Sequence, residues 1–455
     1  MIRNLEREEF VKILHTHLSP TSPIQSEQHL FGRSKQLQLI DQALCAPGRS
    51  IFIYGDRGVG KTSLAQTVAY SHQSANHDAV LLACTPDTTF NQLMADALTA
   101  LEERKATGST ATVHSAKLGF KGFGLEVGRT RQEQGQQVQT VLDLNNAVAA
   151  LLQVGSARNN ENTVVVIDEF DRIASEQERS HFADFIKQTG DQRVPIKFVY
   201  CGVSESMQKL LGAHGSCYRY LDGIELRGLT YDARFEIIDA AAKALGVTVD
   251  NHPRFRIAAI SDGFPYYVHR MCEQLFWQMF NDPVVCTSPT MDHYRQAVAE
   301  SVIGIEQHLK TNYEQAVMKD APDYEPVLWA MADHADLIRK TESIYESFVD
   351  LFGGEDDGGD ALILDRQTVV SRLNTLKGAS CGHMLASPRR GFYQFRENIM
   401  RGYVRLRAEE EGYELALDYS AASRPTAALG WRQRGAKRGQ IGTRPRDWQK
   451  LKDPY

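Results

Sequence analysis

The chain of 455 residues carries a formal net charge of −6, with 42% hydrophobic and 24% charged residues, the balance of a protein that buries a sizeable core. That length leads us to expect two or three domains, and no apolar run approaches the roughly eighteen residues of a membrane span, so no membrane partner is expected. Seven cysteines, an odd count without a Cys-x-x-Cys pair, read as buried reduced thiols rather than as a disulfide or zinc framework; with a charged N-terminus they point to a cytoplasmic setting.

In chain order, residues 1–28 read as a short helix and a Ser/Pro-containing linker. From 29 to 229, runs of strand length alternate with helix-like apolar spacing, the mark of a parallel α/β layer. Expected strands are Ile51–Tyr54, Ala79–Cys84, Val164–Ile167, Ile196–Tyr200 and Gly223–Leu226. Expected helices are Ser63–Tyr70, Phe90–Glu103, Val141–Leu152 and Glu178–Gln188. Segment 104–137 interrupts this unit. Its alternation around Gly122 predicts an inserted β-hairpin, read as a surface excursion, with a partner-contacting hairpin as the alternative.

Residues 230–321 follow a helical pattern and read as a lid. In 322–412, helices lead to Arg366–Leu376, for which Asp365 is a fitting N-cap and Gly378 a stop. Two short strands follow, Met384-Leu385 and Phe392–Phe395, joined by Ser387–Gly391, and a last helix covers Asn398–Glu410. Three helices and a hairpin are the winged-helix order. The acidic stretch 353–360 reads as an insertion before the third helix. From Ala421 to Tyr455, nine Lys/Arg face two Asp, a local balance of +7 on a body of −13. The tail 413–455 is thus basic. It reads either as a solvated end or as an arm for an anionic partner.

The chemistry concentrates at two strand ends. Gly55-Asp56-Arg57-Gly58-Val59-Gly60-Lys61-Thr62, with Ser63 beginning the helix, is a P-loop in its required strand–loop–helix context. Backbone N–H groups of such a loop cradle phosphates at a helix N-terminus, Lys61 adds a positive charge, and Thr62 can ligate magnesium. The second end is Val164–Ile167 followed by Asp168, Glu169, Phe170 and Asp171. Asp168 is the expected second magnesium-side ligand, and Glu169 the expected general base for water. ATP and Mg2+ are therefore the expected ligands.

With those residues placed, the chain resembles the AAA+ and STAND ATPases, on the branch of origin-recognition initiators and prokaryotic signal-transduction ATPases. The resemblance implies a parallel-sheet P-loop ATPase core, a helical lid and a winged helix. Phe31-Gly32-Arg33 with Leu37 resembles the box that lines the adenine pocket, and Gly263-Phe264-Pro265 resembles the GxP motif of STAND members. Ser204 stands where the family carries a polar sensor. Arg219 stands where it carries an arginine finger that reaches a neighbouring subunit, with a surface or salt-bridge arginine as the alternative. A sensing arginine of the lid has no counterpart in register, Arg270 being the nearest. The family implies an ATP-hydrolysing switch acting on DNA or on a protein partner, with nucleotide-dependent self-association. The alternative is a slow signalling module whose winged helix touches only protein. Arg366, Arg372, Lys377, Arg389 and Arg390 are the cations available to DNA in the winged helix, and Trp431 and Trp448 among the tail arginines resemble a single-strand binder.

Overall fold

The computed structural model describes residues 2, 5–75, 78–103, 142–158, 161–213, 215–318, 322–353 and 364–415. The expected hairpin at 104–137, the acidic stretch beyond Gly353 and the tail beyond Leu415 lie outside the described residues.

The first helix, α1 (Arg7–His17), lays Phe10 against Phe280 and Trp277 at ring-centroid distances of 4.3 and 4.8 Å. A segment with one short 3-10 turn, Glu27–His29, leads to α2 (Ser34–Cys45). Then β1 (Ser50–Tyr54), α3 (Lys61–His72), β2 (Val80–Ala83), α4 (Phe90–Glu103), α5 (Leu144–Ala157), β3 (Thr163–Asp168), α6 (Glu176–Asp191), β4 (Ile196–Gly202), α7 (Ser204–Ala213) and β5 (Leu221–Glu225) alternate. All five strands are parallel, in the order β2-β3-β4-β1-β5.

The sheet is buried on both faces. Ile51, Ile53, Val164, Val166, Val199 and Cys201 enter one core, whereas Phe52, Val165, Ile167, Phe198 and Tyr200 enter the other. This two-sided burial is why the strands read as unbroken apolar runs rather than alternating ones. The second core is aromatic. Phe170 is fully buried there, edge-on to Phe52, Phe182 and Tyr200.

Four helices follow in the segment expected as the lid, α8 (Tyr231–Ala244), α9 (Asn251–Ile260), α10 (Pro265–Asn281) and α11 (Met291–Ile303), and then α12 (Gln307–Val317). Their starts are locally encoded. Thr230 caps α8, Pro265 occupies the first turn of α10, and Thr290 with His293 forms a capping box on α11.

The last unit runs α13 (Tyr324–Ala332), β6 (Arg339–Lys340), α14 (Thr341–Phe352), α15 (Arg366–Thr375), β7 (Leu385–Ala386), β8 (Phe392–Phe395) and α16 (Asn398–Glu410). β8 pairs antiparallel with both β6 and β7. β6 was not expected, because two residues are too short to show any period. Asp365 accepts from the Thr368 N–H at 2.6 Å and starts α15 at the predicted place.

α16 binds the units together. Arg401 makes a bidentate pair with Asp262 at 2.6 Å on each arm, and Arg405 reaches the same carboxylate at 2.8 Å. Both arginines are nearly fully buried, and one carboxylate cannot satisfy both. Their remaining donors go to carbonyls: Arg401 to Ala335 and Asp336, Arg405 to Ala259, Ala332 and His334. Burial lowers the Arg405 guanidinium to about 10. One turn further along, Glu409 pairs with buried Arg256 and accepts the Tyr294 hydroxyl at 2.7 Å, joining α9, α11 and α16.

Candidate functional site: the phosphate loop

Strand β1 ends at Tyr54, and the chain turns through Gly55–Gly60 into α3. Val59 is 1% exposed and anchors the loop in the core, while Asp56, Arg57 and Gly58 stay exposed. Gly58 and Gly60 have φ of 83° and 97°, the left-handed region a side chain avoids. That conformation turns backbone N–H groups inward at the start of α3. A Cβ at Gly58 would lie 2.7 Å from Ile399 Cδ1, a side-chain end that can move, so it is the backbone angle that calls for glycine.

Lys61 folds back over the loop, donating to the carbonyls of Gly55 at 3.1 Å and Asp56 at 2.8 Å. Burial lowers its pKa, against the pull of Asp171, Asp168 and Asp56 in the other direction. A partly desolvated ammonium beside inward N–H groups is matched by a bound anion. The Thr62 hydroxyl donates to Asp168 Oδ2 at 2.6 Å. The two oxygens expected on the metal side thus meet across the sheet, although 106 positions separate them. A P-loop backbone, a lysine, a threonine hydroxyl and a carboxylate form a donor set that fits a magnesium–nucleotide pair.

Buried Phe170 fixes the acidic strand end, so that the carboxylates on either side of it remain outside the core. Asp168 Oδ1 takes the Glu169 N–H at 2.7 Å. Glu169 has φ 54°, an uncommon angle for a non-glycine residue, and its carboxylate pairs with Arg172 at 2.8 Å. Cys84, after β2, sits beside this cluster, and burial together with Asp168, Glu169 and Asp171 pushes its thiol up to about 12.

The remaining expected residues fall as follows. Arg33 is 5% exposed and donates to Val59 O at 2.9 Å and Arg227 O at 2.8 Å, bracing the loop from behind. Its burial brings it down to about 10. Phe31 is half-buried against the core. Ser63 Oγ accepts the Ile24 N–H at 3.1 Å. The Pro265 ring is the nearest group to a Cβ placed on Gly60, at 3.9 Å. Ser204 begins α7, two residues past Gly202, which pairs with Tyr54 at the head of the loop.

Arg219 is exposed and precedes β5, whose Leu221 pairs with Ser50, the first residue of β1. It therefore stands at the sheet edge opposite the P-loop, a strand length of about 13 Å away. Arg270 is engaged by Glu273 and by the Glu300 carbonyl.

Two contacts had no signal in the sequence. The Asn398 amide donates to Asp56 Oδ2 at 2.8 Å, and Ile399 packs on Gly58. Tyr267, just inside the lid, donates to Ile399 O at 2.9 Å. The start of α16 therefore rests on the phosphate loop itself. The cations expected on DNA divide. Arg372 turns inward to Asp323 at 2.8 Å and stacks on Tyr324, and Arg366 pairs with Glu342. Lys377 and Arg389 lie over Tyr393 and Phe392.

Residues 29–199 match the AAA ATPase domain family. A search of curated proteins finds no match. Among solved structures, the chain is similar to a Walker-type ATPase of Pyrococcus abyssi, at 13% identity over 85% of this chain and 99% of that one, with a TM-score of 0.48. It is also similar to Cdc6p of Pyrobaculum aerophilum, at 14% identity over 87% and 98%, TM-score 0.42. A third is the RuvB Holliday junction branch migration motor of Thermotoga maritima, at 15% identity over 86% and 98%, TM-score 0.41.

Proposed function

We propose that the AAA ATPase domain of this chain binds ATP with magnesium, hydrolyses it to ADP and phosphate, and uses the bound nucleotide to set the position of its C-terminal unit. The observation that carries the reading is the 2.6 Å bond between Thr62 and Asp168 at the mouth of the glycine loop. In this reading the loop N–H groups and Lys61 hold the phosphates, and Thr62 and Asp168 hold magnesium, which supplies charge neutralisation. Glu169 takes a proton from water as its oxygen adds to the γ-phosphorus and the bond to the β,γ-bridging oxygen breaks. Ser204 orients the γ-phosphate. Phe31, Arg33 and Pro265 support the base and loop side. Arg219 acts on a neighbouring subunit's nucleotide.

The test is a pair of substitutions. Lys61→Ala removes tight ATP binding measured by calorimetry. Glu169→Gln keeps binding and slows turnover by about 10²-fold or more. Unchanged affinity in the first or an unchanged rate in the second overturns the respective role.

The contact of Asn398 and Ile399 with the loop supports the switch, because a nucleotide bound there alters what α16 rests on. The C-terminal unit reads as a winged helix from its order of helices and its three-stranded antiparallel sheet. Two partners remain for it. The inward turn of Arg372 and the pairing of Arg366 favour a protein partner. Lys377, Arg389, Arg390 and the basic tail favour nucleic acid. Anisotropy against DNA decides: binding that weakens with salt, at about −0.9 in log–log slope per phosphate contact, selects DNA. Absence of binding at low salt, with ATP or ADP present, selects protein.

A further inference from the structure

The link between α10 and α11 brings together three metal-ligating side chains that the nucleotide chemistry does not use. Asp282 caps the end of α10, Cys286 lies in the link, and His293 is the third residue of α11. Asp282 Oδ2 and His293 Nε2 are 2.6 Å apart, and one ligand atom from each of Asp282, Cys286 and His293 lies within 4.8 Å of the other two. Their spacing, Asp-x3-Cys-x6-His, follows no Cys-x-x-Cys pattern, so the sequence alone gave no reason to group them.

We propose that Asp282, Cys286 and His293 form a site for a thiophilic divalent cation, zinc foremost, that staples the α10–α11 corner of the lid. Thiolate, imidazole and carboxylate together are a zinc donor set, and three protein ligands leave a fourth position for water. The neighbouring Val284 and Val285 are 68% and 50% exposed, so the link offers a path for the ion. His293 is nearly buried, which holds its ring in one orientation.

The proton balance is defined by the hydrogen bonds present. His293 Nδ1 accepts the Thr290 N–H at 3.1 Å, so in the neutral ring the proton sits on Nε2 and faces Asp282. A cation on Nε2 requires that proton to move to Nδ1, which ends the Thr290 bond and opens the capping box. The Cys286 proton leaves to solvent as the sulfur–metal bond forms. Metal–nitrogen and metal–oxygen distances near 2.0–2.2 Å require the Asp282–His293 separation to widen to about 3.3 Å. One proton is released per ion. The loss of one capping contact is small beside a three-ligand bond set.

The experiment uses the untagged, full-length, reduced chain, stripped of metal and given one equivalent of cobalt(II). The expected spectrum has a thiolate-to-cobalt charge-transfer band and the intense visible bands of a four-coordinate ion. Cys286→Ser removes the charge-transfer band. Asp282→Asn, which keeps the side-chain shape, and His293→Ala each weaken uptake by at least about tenfold. Zinc raises the melting temperature of the wild type and leaves that of Cys286→Ser unchanged, and a pH-stat records one proton per zinc. A charge-transfer band that survives Cys286→Ser places the ion on another thiol and overturns the site. So does equal affinity in the wild type and Asp282→Asn, or no uptake at one equivalent.

Discussion

Each oxygen of Asp168 already has a partner, Oδ1 the Glu169 N–H and Oδ2 the Thr62 hydroxyl, so the carboxylate is oriented before any ligand arrives. Such residues were legible in sequence, because a P-loop and an acidic strand end each fit within eight positions. Asn398 was not, since its partner Asp56 lies 342 positions away and an asparagine at a helix start reads as ordinary polarity. Arg33 was legible only as part of a box; its bonds to two carbonyls depend on tertiary approach.

His269 is a residue of the same hidden kind. It is 2% exposed, its Nδ1 accepts the Ser19 N–H at 3.3 Å, and burial with nearby His29 pushes it down to about 4. The fold holds it neutral, whereas an unfolded chain protonates it near 6.5. Its contribution is therefore present above pH 6.5 and is lost as pH falls from 6.5 to 4. That loss is about 3 kcal/mol, from 1.36 kcal/mol per pKa unit. Denaturant titrations at pH 7 and pH 5 capture about 2 kcal/mol of it, because pH 5 lies about 1.5 units below 6.5. His269→Gln, which keeps an acceptor for Ser19 but does not titrate, reduces the difference between the two pH values. An undiminished difference assigns the acid sensitivity to other groups.

Among elements, the strands of the sheet were read within two residues at either end, and β1, β3 and β4 were clearest because both their faces are buried. β6 escaped because two residues carry no pattern. The linkage of α16 to the lid escaped too, since Arg401 and Arg405 look like the polar face of a surface helix and are among its most buried positions. Asp262→Ala tests that linkage. It leaves two buried guanidiniums without their carboxylate, and removing one partner of a buried pair costs about 3–5 kcal/mol. The denaturation midpoint falls accordingly. A change below about 1 kcal/mol shows that the carbonyls around these arginines suffice without the carboxylate.

At the scale of the molecule, the P-loop and Arg219 lie at opposite ends of the neighbouring strands β1 and β5, so a single subunit cannot bring them together. If Arg219 serves the reaction, it does so in a neighbour. ATPase activity per subunit then rises with protein concentration, and Arg219→Ala removes the rise while leaving ATP affinity in place. Strict proportionality in both proteins assigns Arg219 to the surface.

The contact between Asp56 and Asn398 also has a meaning in time. Ribosomes add roughly 5–20 residues per second, so Asn398 is made tens of seconds after the glycine loop. Until then the nascent ATPase unit has its phosphate loop and its acidic strand end, while Gly58 and Tyr267 lack the helix that covers them. A coupling of bound nucleotide to α16 therefore waits until that helix has been made.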